Sequence, residues 1–232
     1  MEEYLTINFL PLMQDIVPKR KRSPMSRMLK GGQDDSYVSQ QSINIAVGIR
    51  QENFWNKVIS DFSVKNLIED EYIDQGVYKI SNRAKGFKKG DPKPKKKLKH
   101  NTAPVGDIDP KTGQPKKVQI DHFFQGSDNK KYYMESKGNL ELDTEKFKVS
   151  DDKVRKLTDF LGADKGVYFV PTANTIPNDD IPQKYTKEGI EIWSVSDLLS
   201  VLIDVPFTAQ DYFDFHTDKI APFLIKYKGL VR

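Results

Sequence analysis

Cysteine is absent from this 232-residue chain, which excludes disulfides, cysteine-bearing zinc sites and a thiol nucleophile. Histidine is scarce. His100, His122 and His216 are the full complement, and none lies close enough to another in sequence to suggest a shared metal. No apolar run approaches the roughly 20 residues that a membrane-spanning helix needs. The opening M-E-E-Y-L-T-I-N-F-L lacks the basic start and long apolar stretch of a secretory signal. A G-x-x-x-x-G-K-[ST] loop is missing too, and with it the phosphate cradle of an ATPase. Together these absences lead to the expectation of a cytoplasmic protein without ATP-driven chemistry.

The chain does have enough apolar and aromatic material for one substantial core or two small ones: 37% hydrophobic residues, with 13 Phe, 10 Tyr and 2 Trp. Its net charge of +4 conceals an asymmetry. Residues 79–117 hold 13 Lys/Arg against 3 Asp, whereas the rest of the chain holds 24 basic and 30 acidic side chains. Charge gathered in this way favours a polyanionic partner more strongly than a high isoelectric point does.

Along the chain, residues 1–38 read as an N-terminal segment with a basic patch, Lys19-Arg20-Lys21-Arg22, and residues 39–232 as the main domain. From about Ser39 to Phe62 the apolar residues Ile43, Val47, Phe54, Val58 and Phe62 follow one helical stripe. Gly48 inside that helix suggests close packing, because glycine costs about 1 kcal/mol there relative to alanine. Residues 77–80 form a strand candidate. Residues 81–117, rich in proline, glycine and lysine, read as a long basic loop with no core of its own. Its lysines Lys85, Lys88, Lys89, Lys93, Lys95, Lys96, Lys97 and Lys99 are the candidate phosphate contacts of an arm lying along nucleic acid. Further on, Ser150 reads as a helix N-cap with Gly162 at the far end. G-V-Y-F-V-P and I-E-I-W-S-V read as strands, and Ser196-Asp197 as the start of a last clear helix. The expected fold is α/β, a central mixed sheet flanked by helices.

The most informative stretch is V-Q-I-D-H-F-F-Q (118–125), a G-S-D-N turn, and K-K-Y-Y-M-E-S-K-G-N (130–139). Apolar and aromatic runs around such a turn predict a β-hairpin. Alternation along the second strand puts Tyr133, Glu135 and Lys137 on one face. Asp121 on the first strand can bring a second carboxylate to the same surface. The acid-x-Lys pattern alone is weak, since it occurs five times, at Asp91, Asp109, Asp128, Glu135 and Asp151. Asp91 and Asp109 precede proline, Asp128 lies in the turn, and Asp151 opens a helix. Only Glu135 sits in an apolar strand with a strand-borne acid upstream. Two carboxylates beside an ammonium suit a hard divalent cation and a water nucleophile.

The residues I-D (120–121), thirteen intervening residues and E-S-K (135–137) resemble the motif of the PD-(D/E)xK nuclease superfamily, to which most type II restriction endonucleases belong. Ile120 stands where the family name has proline. The resemblance implies a restriction-endonuclease-like core and a Mg²⁺-dependent endonuclease acting on double-stranded DNA as a homodimer, with one or two Mg²⁺ ions per site. Asp121 and Glu135 would be the metal ligands, together with the backbone carbonyl of Ser136, and Lys137 would be catalytic. Glu52 on the upstream helix matches the further acid that family members often supply, although its spacing equally fits a surface glutamate near Arg50, Asn56 and Lys57. His122, on the opposite strand face, reads as a core or hydrogen-bonding histidine, and Tyr132 and Tyr133 as packing. Glu141, Asp143 and Glu145 read as a solvated rim. The rival readings are a junction-resolvase-like or repair nuclease of the same fold and a non-catalytic DNA-binding protein.

Overall fold

The computed structural model describes residues 1–14, 16, 20–22, 36–38, 40–70, 75–80, 96–137, 144–173 and 191–225. In chain order they form α1 (Glu2–Asn8), α2 (Leu10–Gln14), β1 (Arg20–Arg22), β2 (Ser36–Val38), α3 (Gln40–Phe62), β3 (Lys65–Asn66) and α4 (Leu67–Asp70). Next come β4 (Gln75–Ile80), β5 (Lys96–Ala103), β6 (Val118–Gln119), β7 (His122–Gln125), β8 (Lys131–Ser136), α5 (Thr144–Leu161) and β9 (Lys165–Phe169). The chain continues through β10 (Glu191–Trp193), α6 (Val195–Leu202), α7 (Ala209–Phe215), a π-helical stretch (His216–Ile220) and α8 (Ala221–Ile225).

A five-stranded sheet in the order β10-β9-β8-β7-β3 organises the molecule. It is mixed: β10, β9 and β8 run parallel, while β7 is antiparallel to both β8 and β3. The period-two alternation of strands sorts their side chains to two faces. Phe124, Tyr132, Met134, Val167 and Phe169 join the core that contains Phe54, Trp55, Val58 and Ile59 of α3. Phe123, Tyr133 and Tyr168 join a second core with Val154, Leu157 and Leu161 of α5. The sheet is thus covered by helices on both faces, and the α/β expectation holds. Among the described residues no helix is long and apolar enough to cross a membrane.

Several local expectations change. Residues at the start of the 1–38 segment belong to the core: Leu5, Phe9, Met13 and Ile16 recur at about one-turn spacing and pack with α3 and the C-terminal helices. The Phe9 ring lies 4.6 Å from Phe54 and 6.1 Å from Tyr212. The 81–117 loop is broken by β5, whose residues pair with β4 (Lys97 opposite Lys79) and then with β6 (Ala103 opposite Val118). Backbone pairing on both sides of β5 outweighs its poor strand composition.

Helix α5 begins at Thr144, not at Ser150. Asp151 and Asp152 therefore sit inside the helix, where each pairs one turn on, with Arg155 at 3.0 Å and Lys156 at 2.6 Å. The cap of α6 is Ser194, closed by the Asp197 carboxylate in a capping box. Further helical turns follow α6, so it is not the last.

The crossover β8–α5–β9 is held by a close approach at Gly166. A Cβ there would meet the Thr158 Oγ1 at 1.9 Å and Val154 Cγ1 at 3.0 Å. Gly166→Ala should lower stability by about 1–3 kcal/mol in urea denaturation, and Thr158→Ala in the same chain should recover part of that loss.

Candidate active site

Asp121 lies where the chain passes from one sheet to another. Strand β6 ends at Gln119 in the three-stranded sheet β4-β5-β6, and β7 begins at His122 in the large sheet. Pairing of β7 with β8 starts at His122 opposite Met134. Beyond that point β8 keeps only its parallel partner β9, with Glu135 opposite Tyr168 and Ser136 opposite Phe169. The freed Ser136 N–H donates to Asp121 Oδ2 at 3.2 Å, so a carboxylate takes the place of a strand carbonyl. The split opens a cleft of about 180 Å³ lined in part by Glu52, Trp55, Asp121, Ser136 and Lys137. Gly48 lines it as well, with no atom of the described residues within 4 Å of a Cβ placed there. This glycine borders an opening; it is not needed for close packing.

Glu135 is buried and engaged at both carboxylate oxygens. Its Oε1 accepts from Lys137 Nζ at 2.8 Å, and its Oε2 accepts from the Tyr133 hydroxyl at 2.6 Å and from Lys153 Nζ in a very short contact. Burial pushes this carboxyl up, but the Lys153 and Lys137 ammoniums outweigh it and hold the pKa at about 2. Asp121 has the opposite balance. Burial, then the Glu135 charge, then Glu52 raise it, and Lys153 at 3.7 Å only partly compensates, leaving a pKa of about 7. Two carboxylates in neighbouring positions with widely separated pKa values are a feature of functional sites. Burial and the nearby Glu135 carboxylate keep the Tyr133 hydroxyl protonated, so it remains a donor. The Lys137 ammonium also lies 5.9 Å from the centre of the Tyr168 ring.

Behind the cleft, His122 ties α3 to the hairpin. Its Nδ1 is 2.8 Å from Asn56 Oδ1 and its Nε2 is 2.8 Å from Ser136 Oγ. The Asn56 carbonyl can only accept, so Nδ1 carries the proton and Nε2 accepts from the serine hydroxyl. Burial holds the imidazole neutral, with a pKa lowered from 6.5 to about 4. His122→Leu would leave the half-buried Asn56 and Ser136 side chains without this partner and remove the tie between α3 and β8. It should cost about 2–4 kcal/mol in chemical denaturation.

The structure brings Asp121, Glu135, Lys137, Ser136 and Glu52 to one place. Glu52 accepts from Gln119 Nε2 at 3.4 Å, and its charge acts on Asp121. Of the lysines in the basic stretch, Lys96, Lys97 and Lys99 lie on β5, which pairs with the strand leading to Asp121. Lys85, Lys88, Lys89, Lys93 and Lys95 fall outside the described residues, as do Glu141 and Asp143.

Sequence reasoning missed Lys153 and the polar role of Tyr133. The signal for Lys153 was present: it stands one turn before Leu157 and two before Leu161, on the apolar stripe of α5. A charge at such a position calls for a buried partner. Tyr133 gave no comparable signal, since a strand tyrosine reads as packing until its hydroxyl is placed.

Among the described residues no group of three or more His, Asp or Glu side chains forms a metal cage. What stands here instead is a pair of carboxylates, Asp121 and Glu135, reached by one ammonium, with an open cleft beside Asp121. That suits Mg²⁺, which is commonly held by one or two carboxylates and keeps several waters. Comparison with protein-family models, curated proteins and solved structures finds no match for this chain.

Proposed function

We propose that this chain is a Mg²⁺-dependent DNA endonuclease of the PD-(D/E)xK type, with a restriction-endonuclease-like core. The observation that carries this reading is the meeting of Asp121, Glu135, Lys137 and Glu52 at the split between β6 and β7, four residues drawn from three separate segments. Asp121 and Glu135, with the Ser136 main-chain carbonyl, would hold the metal. When bound, Mg²⁺ would lower the pKa of a coordinated water and offset charge on the scissile phosphate.

The chain's own groups provide the rest. Glu135 fixes the Lys137 ammonium at the cleft wall, where its remaining protons can donate to a phosphate oxygen as charge develops. Tyr133 and, in the metal-free protein, Lys153 hold the Glu135 carboxylate in one orientation. The Ser136 N–H and the His122–Asn56 contacts set Asp121 and β8 relative to α3, and hence relative to Glu52. Lys96, Lys97 and Lys99 on β5 supply positive charge for a phosphate backbone. One site of this kind cuts one strand, so cleavage of both strands calls for a second copy in a two-fold homodimer.

The test is incubation of the purified protein with phage DNA and Mg²⁺, followed by sequencing of fragment ends. Discrete ends at a recurring sequence are expected. Dependence on branched DNA would favour the junction-resolvase reading. No cleavage of any DNA, with Asp121→Ala indistinguishable from wild type, would overturn the proposal.

A further inference from the structure

The two lysines at Glu135 are held differently. Lys137 stands just past the end of β8 and, among the described residues, pairs with Glu135 at Oε1. Lys153 comes from α5 and reaches both acids, touching Glu135 Oε2 and lying 3.7 Å from Asp121 Oδ1. A cation shared by Asp121 and Glu135 would sit in the same region as this ammonium.

Glu135 Oε2 accepts from Tyr133 and Lys153, which uses both of its lone pairs. Oε1 accepts from Lys137 and has one left. With Lys153 in place, Glu135 can offer a metal a single lone pair, on the oxygen turned toward Lys137. Withdrawal of Lys153 frees a second lone pair on the oxygen that neighbours Asp121.

Withdrawal is physically open to this side chain. Lys153 is 20% exposed and ends in a flexible four-carbon stem whose ammonium gains hydration outside. Its backbone stays where it is, because the adjacent Val154 and the following Leu157 are buried in the core beneath the sheet.

We propose that Lys153 is the resident counter-ion of the site: it fills the cation position shared by Asp121 and Glu135 and leaves it when a divalent cation enters. This inference rests on the metal-dependent reading above. Lys153 acts by competing with the metal and by keeping the two carboxylates from repelling each other in its absence.

The test is calorimetric titration of the full chain with Mn²⁺, without DNA, for wild type, Lys153→Gln and Lys153→Arg. Lys153→Gln should bind Mn²⁺ about tenfold or more tightly than wild type, while Lys153→Arg, which keeps the charge, should stay close to wild type. Lys153→Gln should also melt earlier without metal and regain its loss on Mn²⁺ addition. A readout on the unmodified chain covers the case in which the variant does not fold: the side-chain ammonium resonance of Lys153 should be lost or shifted at saturating Mg²⁺. Affinity in Lys153→Gln equal to or below wild type overturns the inference, as does an unchanged Lys153 resonance in the metal-saturated protein. If wild type binds Mn²⁺ while Lys153→Gln gains nothing, only the counter-ion role falls. If neither protein binds Mn²⁺, the metal-dependent nuclease reading falls with it.

Discussion

Glu135→Gln should lower Mg²⁺-dependent cleavage by about a thousandfold or more, with a smaller loss of stability. The substitution keeps the volume of the side chain and removes its charge. Glu135 now accepts from Tyr133, Lys137 and Lys153 together. A glutamine has only one oxygen, so its amide N–H₂ must face at least one of those donors. One side of the carboxamide therefore meets a donor with a donor, and the lysines lose their shared counter-charge.

The stability cost stays moderate because Lys137 and Lys153 are 22% and 20% exposed and can turn to water. About 1–3 kcal/mol is expected, set mainly by the stranded Tyr133 hydroxyl. The activity cost is larger, because on the proposed reading the variant loses a metal ligand and the anchor of Lys137 at once. Plasmid cleavage at saturating Mg²⁺ measures the first effect and urea denaturation the second. DNA binding in Ca²⁺ should survive, since the lysines of β5 lie on another sheet. A cleavage rate within about tenfold of wild type would show that Glu135 is not a ligand.

Divalent-cation affinity should rise steeply with pH up to about neutrality. Asp121 carries a proton below its pKa of about 7 in the metal-free protein, and a metal must displace that proton. Below that pH the affinity should fall about tenfold per pH unit, which calorimetry in buffers of different ionisation heat can follow together with the proton released.

Stability without metal moves the other way for this residue. Its folded pKa lies above its ordinary 3.8, so its contribution is complete at low pH and is lost as pH rises through about 7. His122 opposes it, because its folded pKa of about 4 lies below the ordinary 6.5. Its contribution is complete above 6.5 and disappears as pH falls through 4. Between pH 4 and 6.5 the two slopes offset each other in the wild type. Asp121→Asn removes one of them, and should be more stable than wild type at pH 8 while losing stability more steeply on acidification. An Asp121→Asn stability profile that parallels wild type from pH 4 to 8 would refute the assignment.

Much of this site was legible in the chain because strand alternation is a local rule. Tyr133, Glu135 and Lys137 share a face by parity alone, and the apolar runs around G-S-D-N fix the turn. The stripe of α3, with Phe54 and Val58 on one side, likewise follows from a 3.6-residue period. Glu52 could be named from its position on that helix, but its spacing alone could not say whether it met the hairpin. The loop reading of 81–117 failed at β5 because pairing partners at Gln75–Ile80 and Val118–Gln119 lie at a distance in sequence. Ser150 passed for a cap because a serine followed by two aspartates satisfies the local pattern equally well inside a helix whose acids find partners one turn on.

By itself, the sequence determined which residues could do chemistry here: an acid-x-Lys strand, an upstream aspartate, and a gathered basic stretch in a chain without cysteine. Those follow from side-chain identity and from periods of two and 3.6. Only the tertiary structure decided how the charges are balanced. It split β6 from β7 at Asp121, brought Glu52 across from α3, turned the Tyr133 hydroxyl onto Glu135, and inserted Lys153 from the helix of the β8–α5–β9 crossover. The physical reason is that burial and charge act through space. They depend on which segments the fold stacks together, and distance along the chain does not encode that.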